Sequence, residues 1–231
     1  MKTVGIIGGI GPESTIEYYR SIVAAYRARQ RDGSYPPVVI NSIDLKKLLD
    51  LIGADRLQEV TDYLVAEVRK LARAGADFGV LAANTPHVVF DALSRRSPIP
   101  LISIVAVTRE AARARGMKRV GLLGTRFTMQ GRFFPEAFDE AGITLVTPEP
   151  DEQAYVHDKY MTELVNAVFL PATRDGLIAI IERLKSRGGI EGVILGGTEL
   201  PLILRDAHAA GIPLLDTTRL HVQEVVRRLL S

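Results

Sequence analysis

Two stretches of this chain are built alike. Phe78-Gly79-Val80-Leu81-Ala82-Ala83-Asn84-Thr85-Pro86-His87 and Gly192-Val193-Ile194-Leu195-Gly196-Gly197-Thr198-Glu199-Leu200 each open with a short apolar run, then break into small and hydroxyl-bearing residues. An unbroken apolar run of this kind suits a parallel strand buried on both faces. The small residues after it let a ligand approach the backbone. Thr85 and Thr198 add hydroxyls, and a helix-like segment after each adds backbone N–H donors at its start. Two such strand ends facing one another would form a pocket for a small anion. The likeness extends further. Gly79 and Gly192, Thr85 and Thr198, and Ile99-Pro100-Leu101 and Ile212-Pro213-Leu214 share one spacing, and Val4-Gly5 with Gly8 recurs as Val120-Gly121 with Gly124.

The patterning predicts strands over residues 3–7, 38–41, 78–82, 99–104, 119–123, 143–146, 192–195 and 213–215. Between them it predicts helices over 13–29, 55–74, 105–115, 130–140, 153–170, 174–186, 200–210 and 218–230. This alternation is that of an α/β protein with parallel sheets. The internal echo divides it into two pseudo-symmetric lobes, each a parallel-sheet α/β sandwich: residues 1–115, residues 116–215, and a closing helix over 216–231 that packs back on the N-terminal lobe. Open parallel sheets bind ligands at the carboxyl ends of their strands. An interlobe cleft is therefore the expected site, lined by both motif loops, the Gly-rich turn at Gly11 and the segment from Thr125 to Thr128. A duplicated sheet without any shared site is the alternative.

Composition narrows the chemistry. With 231 residues, 47% of them hydrophobic, the chain can bury more than one core. It has no cysteine, which excludes disulfides, zinc–thiolate centres and thiol catalysis. Its four histidines are dispersed, so no metal site is expected. The net charge is +2, and the small arginine clusters at 27–31 and 113–119 read as solvated helix ends, so no nucleic-acid partner is expected. No apolar run approaches the ~20 residues that cross a bilayer. Met1-Lys2-Thr3 leads straight into a strand, without signal-peptide character, and a cytoplasmic location is the expectation. In Gly8-Gly9-Ile10-Gly11-Pro12, Pro12 suits the first turn of a helix. Ser14 stands where a dinucleotide fingerprint needs its third glycine, so the turn reads as the wall of a smaller ligand's pocket.

Taken in order, Gly8-Gly9-Ile10-Gly11-Pro12-Glu13-Ser14-Thr15, Asn84-Thr85-Pro86-His87, Gly124-Thr125-Arg126-Phe127-Thr128 and Gly196-Gly197-Thr198-Glu199 resemble the aspartate/glutamate racemase superfamily, nearly end to end. Members of that superfamily need no pyridoxal phosphate. The resemblance implies a cofactor-independent isomerase, usually a homodimer, acting on a small amino acid or carboxylate at a site between two lobes. It also implies two-base proton transfer at Cα by two opposed thiols, in motifs that usually read Cys-Asn-Thr and Gly-Cys-Thr-Glu. Here those thiol positions are Ala83 and Gly197. Alanine has no proton to exchange and glycine has no side chain, so the ordinary thiol mechanism is not available.

What the resemblance leaves is a carboxylate cradle of Gly11, Asn84, Thr85, Thr125, Thr128, Gly197 and Thr198, able to stabilise an enolate-like dianion. Glu199 and His87 are the surviving acid–base candidates. The alternatives are structural hydrogen bonding for Glu199 and a backbone-bonded helix-start role for His87. A predicted helix carries Tyr155, His157, Lys159, Tyr160 and Glu163, where Tyr160 and Glu163 could share a face with His157 or serve as surface and hinge groups. Relatives acting on acidic amino acids carry a basic residue later on that helix. Here the position is Val165, with Asn166 next; Lys46 or Lys47 could substitute, and Asp44 reads as a capping residue. The reactions open to such a chain are isomerisation with non-thiol bases, a repurposed lyase, decarboxylase or cyclase chemistry on the same cradle, or ligand binding without catalysis.

Overall fold

Buried parallel strands need apolar side chains on both faces, and the central strands have them. In the structure, a computed structural model that describes residues 2–205 and 208–231, Val4–Gly8 (β1) and Phe78–Leu81 (β3) are buried at every residue. They lie side by side in a four-stranded parallel sheet, with Val38–Ser42 (β2) outside β1 and Leu101–Ile102 (β4) outside β3, in the order β2-β1-β3-β4. The edge strand β2 is the more exposed one and turns polar at Asn41-Ser42.

Helices Pro12–Arg29 (α1), Leu45–Gly53 (α2), Leu57–Arg73 (α3) and Phe90–Arg96 (α4) accompany this sheet. α3 buries Val60, Leu64, Val68 and Leu71, the stripe that its helical period dictates. α2, which the sequence reading passed over, starts where the Asp44 carboxylate accepts from the backbone N–H of Lys46 (2.9 Å) and Lys47 (3.3 Å). It is short, and only Leu48 and Ile52 are buried along it, a pattern too sparse to stand out by periodicity.

The chain divides into two compact units, one running through Ile104 and resuming at His221–Ser231, the other Val105–Leu220. The helix Ile104–Ala114 (α5) begins with the last residue of the first segment and counts with the second unit from Val105 on. The closing helix Thr217–Leu229 is shared, its part from His221 counting with the first unit.

The second unit holds Arg119–Gly124 (β5), Arg126–Gln130 (α6), Phe133–Asp139 (α7), Thr144–Val146 (β6), Pro150–Thr162 (α8), Pro171–Gly188 (α9) and Gly192–Gly196 (β7). After β7 come Leu200–Ile203 (α10), His208–Ala209 (β8), Ile212–Asp216 (β9) and the closing helix, α11. Its sheet runs β6-β5-β7-β9-β8, with the first four strands parallel and β8 antiparallel. Setting β8 aside, the order repeats that of the first unit, which is the internal echo read from the sequence. Its core packs α8 and α9 on the sheet through residues such as Val156, Leu177, Ile181, Leu184, Val193 and Leu195. No helix among the described residues is long and apolar enough to cross a membrane.

Three predicted helices are shorter than expected. The one over 200–210 stops at Ile203; residues 206 and 207 lie outside the described residues, and His208–Ala209 is a strand. Ala210 and Gly211, both at positive φ (51° and 70°), form the two-residue turn that folds β8 back on β9. The helix over 130–140 is only Phe133–Asp139, set apart by the extended Gly131 from α6, which ends at Gln130. The helix over 153–170 ends at Thr162, with Ala167 left-handed (φ 58°) after a short 3-10 turn.

The Gly-rich turn after β1 is fixed from two sides. Thr15 accepts from the Gly9 N–H (2.8 Å), and Ser14, at the position of the missing third glycine, donates to the Ala82 carbonyl (2.6 Å) just past β3. Gly9 has φ 78°, and a Cβ there would stand 2.6 Å from Ser42 Oγ, 2.8 Å from Ile43 N, and closer still to the Ile43 carbonyl oxygen. Gly33 has the same backbone sign with open space around it. In urea unfolding, Gly33→Ala therefore costs about 1 kcal/mol, the left-handed penalty alone, whereas Gly9→Ala adds overpacking and costs about 3 kcal/mol or more. Equal losses at the two positions would contradict this packing.

Candidate functional site

Each unit places its motif loop at the carboxyl edge of its own sheet. In the first unit β3 runs into Ala83 and Asn84, both buried, and a 3-10 turn spans Thr85–Val89. Thr85 is partly exposed, as is Val88 later in the turn. The Ser14–Ala82 bond draws the turn carrying Gly11 (φ 84°) toward the same loop, so Gly11, Asn84 and Thr85 share one sheet edge.

His87 is differently employed from the acid–base role expected of it. Its Nδ1–H donates to the Ala83 carbonyl (3.0 Å), and its Nε2 accepts from the Ile104 N–H (3.2 Å). These bonds define the neutral tautomer, and both ring nitrogens are taken. The ring stacks on Phe90 with centroids 4.9 Å apart. Burial, then the nearby His221, push its pKa down to about 3, against the opposing pull of the Ala83 bond. Both bonds run to backbone, the arrangement that is the alternative to acid–base work.

His221 went unremarked in the sequence, although it lies four residues before Val225 on the buried stripe of α11. Its Nδ1 accepts from the Tyr18 hydroxyl (2.8 Å), its Nε2–H donates to the Ile102 carbonyl (3.0 Å), and burial lowers its pKa to about 4.

In the second unit β5 and β7 end side by side, with Gly124 opposite Gly196. A Cβ on Gly124 would lie 2.7 Å from the Gly196 carbonyl and 2.9 Å from Thr128 Cβ, so the glycines are what let the strand ends and Thr128 close up. Thr125 caps α6, its side chain accepting from the Thr128 N–H (3.3 Å), and the two hydroxyls are 3.2 Å apart. Thr125 and Thr128 therefore serve each other and the helix start.

The loop after β7 carries a buried polar cluster. The Thr198 hydroxyl donates to Glu199 Oε2 (2.8 Å), and the Tyr160 hydroxyl of α8 donates to the same oxygen. Glu199 is 1% exposed and Tyr160 6%. Thr198 thus directs its proton to Glu199 rather than outward. Burial, then the adjacent Glu199, hold the Tyr160 phenol well above its ordinary pKa, so it stays protonated. Gly197 belongs to the same cluster through sterics. A Cβ on it would stand 2.9 Å from Tyr160 Cζ, 3.0 Å from the phenol oxygen, and nearer still to the ring edge. The phenol occupies the space into which a side chain at 197 would project.

Other candidates are held elsewhere. His157 Nδ1 accepts from the Arg126 N–H (3.3 Å), while Glu163 pairs with Lys159 (2.5 Å) and Thr173, so neither shares Tyr160's surroundings. Val165 packs against the apolar core, and the Asn166 amide donates to the Thr162 carbonyl (3.1 Å). Lys46 pairs with Asp50 (2.6 Å) and Lys47 lies over the Tyr63 ring (4.3 Å). The helices expected to present backbone donors are short: a five-residue 3-10 turn after β3 and four residues in α10. Among the described residues no group of three or more His, Cys, Asp or Glu side chains is placed to hold a metal ion.

Two tests follow from this geometry. Gly197→Ala forces the Cβ into Tyr160 and destabilises by about 1–3 kcal/mol; in combination with Tyr160→Ala its cost falls, a non-additivity measurable by a double-mutant cycle. Additive losses would mean the ring is not what fills that space. The two buried histidines are neutral when folded and titrate near pH 6.5 when unfolded, so their contribution is complete above about pH 6.5 and declines as pH falls toward their folded values. The expected slope is up to about 1.4 kcal/mol per pH unit for each histidine. His87→Gln is less stable at pH 7 but loses stability less steeply between pH 6 and 4; an unchanged slope would contradict the buried neutral ring.

Known proteins bear on this geometry. The family described as Asp/Glu/Hydantoin racemase matches residues 7–225. RacX of Bacillus subtilis (strain 168), a broad specificity amino-acid racemase, is 25% identical over 227 residues, covering 93% of this chain and 92% of its own. The crystal structure of PH1733, an aspartate racemase homologue from Pyrococcus horikoshii OT3, matches with a TM-score of 0.87 at 32% identity over 100% of both chains. The aspartate racemase of Picrophilus torridus shares the fold, with a TM-score of 0.81 at 22% identity over 99% of this chain and 94% of its own. With two sheets of repeated order and a match along nearly its whole length, the chain belongs to the Asp/Glu/hydantoin racemase family.

Proposed function

We propose that this protein is a cofactor-independent enzyme that moves a proton at the carbon next to the carboxylate of a small amino acid, using groups other than thiols. The observation that carries this reading is the buried Thr198–Glu199 pair after β7, a titratable group beside Gly197, the position where the family resemblance implies a thiol. Burial makes a carboxylate a stronger base toward a carbon acid than one in solvent, while the hydroxyls bonded to it fix its position. Within the second unit Thr198, whose hydroxyl oxygen can still accept, is a proposed substrate contact beside Glu199; within the first, Asn84 and Thr85 are proposed contacts at their own sheet edge, where Gly11 leaves the backbone open to approach.

The substrate we infer is a neutral amino acid. Position 165 is an apolar residue engaged with the core, and Lys46 and Lys47 have partners of their own, so no cation among these is available for a second carboxylate. The similarity to RacX, a racemase of broad specificity, agrees with a substrate outside the acidic pair.

The test is a panel of L- and D-amino acids incubated in D2O, with loss of the Cα proton followed by NMR. Alanine and serine are expected to exchange faster than aspartate and glutamate, and Asn84→Ala to lower kcat/KM by about 100-fold. A panel without any exchange would end this reading in favour of a different reaction or a binding role.

A further inference from the structure

We propose that Tyr160 and Glu199 form a proton relay that replaces the missing thiol at position 197, with Tyr160 as the catalytic residue that meets the substrate's Cα and Glu199 as the reservoir behind it. The inference rests on the reading above and deepens it by naming the group that does the chemistry.

Three observations meet at this point. First, the Tyr160 phenol fills the space that a side chain on Gly197 would enter, so an acid–base group reaches the loop after β7 from α8. Second, the phenol is not a lone hydroxyl: it donates its hydrogen bond to Glu199 Oε2, which the Thr198 hydroxyl also holds in place at 2.8 Å. Third, a polar group is missing nearby. β9 runs beside β7 with Asp216 opposite Leu195, so Thr218, two residues past Asp216, sits at the same sheet edge as Gly197, two residues past Leu195. Thr218 is 4% exposed, yet its hydroxyl has no hydrogen-bond partner among the described residues. A buried hydroxyl without a partner costs free energy that a polar ligand at this edge would recover.

The relay solves the difficulty a tyrosine alone would face. A phenol next to a carboxylate resists ionisation, so it cannot wait as a phenolate base. In the relay it need not. The Cα–H bond breaks and its electron pair stays on carbon. That proton bonds to the phenol oxygen while the phenol's own proton passes to Glu199 Oε2. Tyr160 is neutral before and after; the negative charge moves from Glu199 to the carbanion, and Glu199 ends as a carboxylic acid that exchanges with solvent. The reverse sequence returns a proton to carbon.

One phenol, reaching Cα from one side, is the only acid–base group in the relay that meets carbon. The relay therefore serves one face of the substrate. A single acid–base group that removes and returns a proton on the same side gives exchange with retention, so solvent deuterium enters one enantiomer faster than that enantiomer racemises.

The deciding experiment incubates L-alanine and D-alanine separately with wild type, Tyr160→Phe and Glu199→Gln in D2O, following Cα deuteration by NMR and enantiomer ratio by chiral chromatography. Tyr160→Phe keeps the ring that packs against Gly197, and a thermal melt verifies that it folds. We expect wild type to deuterate one enantiomer ahead of racemisation, Tyr160→Phe to lose about 100-fold or more of that rate, and Glu199→Gln to lose a similar factor together with the acidic limb of the pH–rate profile. Wild-type exchange that persists in Tyr160→Phe overturns the relay and leaves the family reading standing. So does exchange of both enantiomers at their racemisation rate. An absence of exchange in wild type removes both.

Discussion

A buried carboxylate must be hydrogen-bonded or give up its charge, and Glu199 is the point in this chain where that constraint presses hardest. It lies at the end of a strand with no water to solvate it. Two hydroxyls answer it, one from the adjacent Thr198 and one from Tyr160 on α8. To deliver the second, the tyrosine ring must cross in front of position 197, and it can do so only because that position is glycine. The absence of a side chain at 197, the placing of one helix side chain and the pairing of one acid are thus a single arrangement. Buried polar groups tied this closely rise and fall together.

The first unit solves its polar problem with neutral rings. The chain leaves this unit after Ile104 and re-enters it at His221. The Ile104 N–H is bonded to His87, and His221 is bonded to the Ile102 carbonyl, so the exit and the return are each secured by an imidazole. The two rings are opposite tautomers, His87 protonated at Nδ1 and His221 at Nε2, each set by the backbone or phenol group it faces. Both are held as structure, which is why a histidine at the end of the first motif is a poor guide to acid–base chemistry here.

Much of the scaffold was legible in the residues. Apolar runs marked the central strands, the shared spacing of Gly79 with Gly192 and Thr85 with Thr198 marked the repeat, and the family motifs marked both loops. What escaped was set by partners distant in sequence. That Tyr160 stands over Gly197 is a steric match between a helix and a loop, and no periodicity records it. That His87 is backbone-bonded depends on where Ile104 passes. The hairpin at Ala210-Gly211 was hidden because the residues before it also read as helix, and only the pairing of β8 with β9 decides between the two. Ser14 was visible as a departure from a glycine motif, but its reason, a bond to Ala82, was not.

The crowding at Gly197 also bears on history. A lineage with tyrosine at 160 and glycine at 197 does not regain a side chain at 197 by one substitution, since even a methyl group collides with the ring. The ring would have to leave first, and its departure strips Glu199 of a partner. Each single step is disfavoured before the pair is complete, so positions 160 and 197 act as a linked lock: a change at either is tolerated only alongside a change at the other.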